Sequence, residues 1–124
     1  AVLKLNGNKF KCTESYNSLP ENFKQTPSGA AIRIHPNAKF LYVANRTIDA
    51  ITIFEISNDK LQLVNYQYTN GKTLREFNVT PDGHWLLACL QDSNEVISYG
   101  INPDGTLKEK SRNKTIISPV CVCF

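Results

Sequence analysis

The sequence predicts an all-β chain built from a repeated unit of four short antiparallel strands. Three observations lead there. Residues 35–54, HPNAKFLYVANRTIDAITIF, are echoed 45 residues later by residues 80–99, TPDGHWLLACLQDSNEVISY. Each copy breaks into short apolar or alternating runs separated by Asn, Asp, Gly and Pro, the pattern of strands and turns. No segment sustains a period of 3.6, so no helix is expected. The two copies keep their apolar positions while the polar ones drift: Ile34 falls on Val79, Phe40 on Trp85, Leu41 on Leu86, Ile51 on Val96 and Phe54 on Tyr99.

The first copy defines the unit. Ala31-Ile32-Arg33-Ile34 is strand A, and His35-Pro36-Asn37-Ala38-Lys39 is a turn that the second copy writes around Pro81-Asp82-Gly83. Phe40 to Ala44 is a nearly continuous apolar run suited to a strand covered on both faces, strand B. A polar loop, Asn45 to Asp49, leads to strand C through Ile51, Ile53, Phe54 and Ile56. Ser57-Asn58-Asp59 turns the chain into strand D, Leu61 to Tyr68, which is more polar and therefore peripheral. Four antiparallel strands per period of about 45 residues mark a β-propeller blade. The blades fall at residues 29–70 and 75–115, with the end of an earlier blade at 1–25 and the first strand of a further one at 118–124. The 124 residues thus form a single partial propeller domain of about two and a half to three blades. Closed rings have roughly four to eight blades, and each blade packs on its neighbours. The chain is therefore expected to be a piece of a larger ring lacking N-terminal blades, or to complete one by self-association.

Composition narrows the function. A net charge of +3 with scattered Lys and Arg gives no basic stripe, so no nucleic-acid partner is expected. Apolar runs stay far below the roughly 20 residues of a membrane-spanning helix, so no membrane partner is expected either. Cys12, Cys89, Cys121 and Cys123 form no C-x-x-C pair and no His sits at zinc-ligand spacing. They read as small hydrophobes of a reduced, cytoplasmic protein, with no metal or cofactor implied.

The run IRIHPNAKFLYVANRTIDAITIFEI resembles the lactonase family of seven-bladed propellers, which includes bacterial 6-phosphogluconolactonases and carboxy-muconate lactonizing enzymes. TLREFNVTPDGHWLLACLQDSNEVISYGI is similar to the family's T-P-R-x-F, P-x-G and Q-x-S segments, with Leu74 in place of the proline. The Asn45-Arg46 pair, the loop Ser18-Leu19-Pro20-Glu21-Asn22-Phe23 and the closing Ser118-Pro119-Val120-Cys121-Val122 carry the more specific part of the likeness. It covers nearly the whole chain, but only about the last third of a family member.

Propeller topology places the B–C and D–A connections on one face and the A–B and C–D turns on the other. Arg46 and Gln91 lie in B–C connections, and Arg75 and Glu76 lie where a D–A connection joins strand A. All four are expected at one channel mouth, with His35 and His84 as solvated turn residues on the opposite face. The resemblance implies a central-site role for Arg46. Its guanidinium suits a phosphate or carboxylate or the developing charge on a lactone oxygen; bridging adjacent blades is the structural alternative. Arg75 offers charge for an anionic substrate or a surface ion pair. Glu76 offers a general base or a counter-charge to Arg75. Gln91 offers a hydroxyl contact or a loop cap. Catalysis is thus assigned to Arg46 and Glu76, and substrate binding to Arg75 and Gln91. Ala31 stands where many family members place an acid, and the family's other proposed catalytic residues, a histidine, an arginine and a glutamate, belong to earlier blades. The resemblance implies hydrolysis of an anionic sugar-acid lactone such as 6-phosphogluconolactone, with this chain carrying part of the site. The alternative is a non-catalytic binding or scaffold propeller.

Overall fold

Phe40, Tyr42 and Ala44 alternate with Leu41 and Val43, and alternate residues of a strand point to opposite faces of its sheet. In the computed structural model, which describes residues 1–124, both sets are wholly or partly buried because this strand sits inside a sheet stacked against other sheets. The chain forms ten strands: β1 (Val2–Asn6), β2 (Lys9–Glu14), β3 (Gly29–Ile34), β4 (Phe40–Asn45), β5 (Ala50–Ser57), β6 (Lys60–Tyr68), β7 (Leu74–Val79), β8 (Trp85–Leu90), β9 (Glu95–Ile101) and β10 (Leu107–Asn113). β3 to β6 make one four-stranded antiparallel sheet in chain order, β7 to β10 a second, and β1 with β2 a hairpin. These are two whole blades and the outer half of an earlier one.

The repeat survives at the level of single hydrogen bonds. His35 N–H donates to the Phe40 carbonyl at 2.8 Å, and Thr80 N–H to that of Trp85 at 2.9 Å. The same turn position takes positive φ in both copies, 61° at Ala38 and 74° at Gly83. Asn58 and Asp59, at φ 51° and 61°, form a two-residue hairpin loop between β5 and β6. Their short polar side chains tolerate the left-handed region that such a loop demands.

The core lies between the two blades. Phe40, Tyr42 and Ala44 of β4, with Ile51 and Ile53 of β5, face Phe77, Val79, Leu86 and Ala88 of the second blade. Tyr42 and Phe77 meet edge to face with ring centroids 6.5 Å apart, a favoured aromatic geometry. The uncovered outer faces show what this packing does. Phe77 and Val79 are 0% and 9% exposed, whereas their first-blade counterparts Ile32 and Ile34 are 57% and 60% exposed. Ile32 and Ile34 look toward the earlier blade, of which only the β1–β2 hairpin is present.

Two differences from the sequence reading stand out. His35, expected as a solvated turn residue, is 9% exposed. Its Nδ1 accepts from Asn37 N–H at 3.1 Å, which leaves Nε2 to donate to the Gly83 carbonyl of the next blade at 2.9 Å. A Cβ on Gly83 would lie 2.7 Å from the imidazole, so glycine here admits the ring as well as the positive φ. His84 is exposed. Residues 118–124, expected to open a further blade, form no strand. An inner strand takes its ladder from the second strand of its own sheet, and no such strand lies beside this segment. Asn78 Nδ2 instead donates to the Val122 carbonyl at 3.3 Å.

Tyr99 is fully buried with its hydroxyl unpartnered, and burial pushes its phenol up to about 12. The first blade has Phe54 at this position. Tyr99→Phe is expected to stabilise the fold by about 1 kcal/mol in urea unfolding, because a buried hydroxyl without a partner is a net cost; a destabilised variant would reveal a hidden partner. With Ile32, Ile34, Trp85 and Phe124 all exposed, the isolated 124-residue polypeptide is expected to self-associate. Sedimentation as a monodisperse monomer would contradict that.

Candidate functional site

The B–C connections end on one edge of both blades, and backbone bonds fix them there. Arg46 N–H donates to the Ser28 carbonyl at 2.8 Å, and Gln91 N–H to the Thr73 carbonyl at 2.9 Å, one repeat later. Arg46 and Gln91 therefore occupy equivalent positions, each beside the residues leading into an inner strand. Asp49 and Asn94, at φ 46° and 57°, close these connections. Asp49 Oδ1 accepts from Leu74 N–H at 2.9 Å, and Asn94 Oδ1 from Ser118 N–H at 2.8 Å. Each loop thus caps the start of the next inner segment, and this strut escaped the sequence reading. The recurring Asp/Asn at the same repeat position was its only signal.

Arg46 lies after β4, partly buried, with its Nε enclosed and bonded to nothing in the chain. Buried N–H groups almost always have acceptors, so this guanidinium is an unspent donor. Gln91 is partly buried in its loop. Arg75 is exposed at the second position of β7. The β7–β8 ladder pairs Leu74 with Leu90 and Glu76 with Cys89, so Arg75 is the extra residue of a β-bulge. Bulges re-aim side chains and are common beside functional sites. β3 carries the same irregularity between Gly29 and Ile32.

Glu76 pairs differently from the expectation that it balances Arg75. Its Oε1 accepts from Arg33 Nη2 at 3.1 Å and from Phe77 N–H at 3.0 Å. Its partner thus comes from the inner strand of the preceding blade. Arg33 went unnoticed in the sequence; a lone charge in the apolar run Ile32-Arg33-Ile34 was the available signal.

A second charged cluster holds the same edge from outside. Glu95, buried at the start of β9, takes Arg112 Nη1 at 2.7 Å and Lys114 Nζ at 3.1 Å. Arg112 also donates through Nη2 to the Thr69 carbonyl at 2.7 Å and reaches Glu109 at 2.9 Å. Thr69 belongs to the connection between the two blades, so this guanidinium ties the outer strand of the second blade, β10, to the segment that leads from the first blade into β7. Gly71 packs flush here, and a Cβ on it would lie 2.8 Å from Glu95 Oε2.

A family model described as "Lactonase, 7-bladed beta-propeller" matches residues 1–124. The chain belongs to this lactonase family. A 6-phosphogluconolactonase of Erwinia tasmaniensis is 36% identical over 114 residues, covering 90% of this chain and 34% of the relative. Among solved structures, a candidate 6-phosphogluconolactonase of Bacteroides fragilis superposes with a TM-score of 0.84 at 27% identity, over 96% of this chain and 33% of the other. The periplasmic gluconolactonase of Pseudomonas aeruginosa superposes with a TM-score of 0.88 at 22% identity, over 96% and 34%, a likeness of fold. The lactonase chain thus spans about a third of the length of these relatives. No helix in it is long and apolar enough to cross a membrane.

The Glu95 cluster has a pH signature. Burial alone would raise the Glu95 carboxyl, but the bonds from Lys114 and Arg112 overcome it and hold the group below the ordinary glutamate range. A group with a lowered folded value stabilises fully above its unfolded value, near 4.3, and loses that contribution as pH falls through the folded value. Glu95→Gln is therefore expected to lower Tm at pH 7 and to flatten its decline below pH about 4.5. An unchanged acid slope would show that the cluster does not stabilise the fold.

Proposed function

We propose that the ring-complete protein hydrolyses a sugar-acid lactone carrying negative charge, of the 6-phosphogluconolactone class, and that these residues supply part of its site. The observation that carries this reading is the buried Arg46 Nε without an acceptor, on the edge where B–C connections meet the inner strands. The membership of the whole chain in the lactonase family and the 36% identity to a 6-phosphogluconolactonase support the choice of lactone.

In this reading the roles follow from what each group has left to offer. Arg46 directs its unspent donors at the lactone carbonyl oxygen and stabilises the charge that grows there during attack. Glu76 uses Oε2, which no donor in the chain occupies, to take a proton from water. The water oxygen then bonds to the carbonyl carbon, the carbon–ring-oxygen bond breaks, and the ring oxygen leaves as a hydroxyl with the proton returned by Glu76. The product is the open hydroxy acid. Arg75, exposed on its bulge, meets the anionic group, and Gln91 meets a sugar hydroxyl. No covalent nucleophile is needed, and no metal or cofactor enters. Four unpaired cysteines accord with work in the cytoplasm.

Arg46→Ala in the ring-complete protein is expected to lower lactone turnover at least about 100-fold, the scale of removing one oxyanion donor, with an unchanged unfolding midpoint. Turnover at the parent rate would remove Arg46 from the mechanism. Absence of hydrolysis in the unmutated protein would leave a binding propeller.

A further inference from the structure

Arg33 and Glu76 make the charged link between the two inner strands, and this link is more than the fold requires. The repeat supplies the comparison. Asn78 occupies the position of Arg33 one blade later and bridges forward to Val122 through its amide, so a neutral side chain suffices to join successive inner segments. The position of Glu76 is filled in the first blade by Ala31, which is buried. The Arg33–Glu76 pair, with side chains 38% and 21% exposed, adds little stability, as is usual for solvated pairs.

The geometry around Glu76 is directional. The bulge at Arg75 sets Glu76 opposite Cys89. Phe77 N–H and Arg33 Nη2 both load Oε1, while Oε2 stays free. Arg33 is itself steered, because its Nη1 donates to the Ile32 carbonyl at 2.9 Å. A carboxylate clamped through one oxygen by a held guanidinium presents the other oxygen in a defined direction. The other groups near Glu76 carry no competing charge from the packed strands: Cys89 on β8 is pushed up by burial, then by Glu76 and Cys121, and remains a neutral thiol. Arg75 on the same strand is the remaining neighbouring charge.

We propose that Arg33 is a positioning residue for lactone opening, holding Oε1 of Glu76 so that Oε2 faces the attacking water. This rests on the reading of Glu76 as general base. The guanidinium does not touch the substrate; it fixes the direction in which the base presents its free oxygen.

The test is the separate measurement of kcat and KM for Arg33→Gln and Arg33→Lys in the ring-complete protein, alongside Glu76→Gln and the unfolding midpoint. Arg33→Gln is expected to lower kcat about 10- to 100-fold with KM within about threefold and an unchanged unfolding midpoint. Arg33→Lys, which keeps the charge but not the fork, is expected to recover part of that loss, with kcat still several-fold below the parent. Parent kcat in either variant, or a loss that falls on KM rather than on kcat, would overturn the proposal. If Arg33→Gln fails to fold, parent kcat in Arg33→Lys overturns it alone. The two readings separate cleanly. Full turnover in Glu76→Gln defeats the base assignment itself. Dead Glu76→Gln with an unaffected Arg33→Gln defeats only the positioning role.

Discussion

A four-stranded sheet with two apolar faces is stable only when both are covered, and everything else in this chain follows from that requirement. Phe40, Tyr42 and Ala44 are buried by the second blade, and Phe77, Leu86 and Ala88 are buried by the first. Neither blade could bury these residues without the other. The same residues become exposed wherever the neighbour is partial, as Ile32 and Ile34 show on the side of the lone hairpin. Packing between blades, not propensity within them, holds the fold.

The contact between blades also sets what the polar edge can do. At one end His35 reaches the Gly83 carbonyl and Tyr42 that of Gly105; Gly83 lies close against the imidazole, and Gly105 against the Phe40 ring. At the other end Asp49 and Asn94 cap the next inner segment, and Arg112 pulls the Thr69 connection toward Glu95. These struts hold the loops of Arg46 and Gln91 against the inner strands by backbone bonds. An edge framed in this way is held rigidly by bonds within and between the blades.

Lactonase family membership and a span of about a third of the relatives explain why the polar groups look half-served. Arg46 has a buried donor with no acceptor, and Glu76 has one oxygen satisfied twice and one free. Unmatched groups of this kind are costly in a finished core and are found where a face is left uncovered.

The sequence alone determined the all-β propeller class, the strand period and the turn positions. These depend on local patterning: alternation picks the faces of a strand, and Asn, Asp, Gly and Pro mark its ends. It could not assign partners. That Glu76 meets Arg33 rather than the adjacent Arg75, that His35 bridges to Gly83 instead of facing water, and that Glu95 is buried under Arg112 were decided by the tertiary structure. The first two pairings join residues of different blades, and how one sheet rotates and stacks on the next fixes their meeting. The third joins the paired strands β9 and β10, and the ladder register between them fixes it. No short stretch of sequence encodes either.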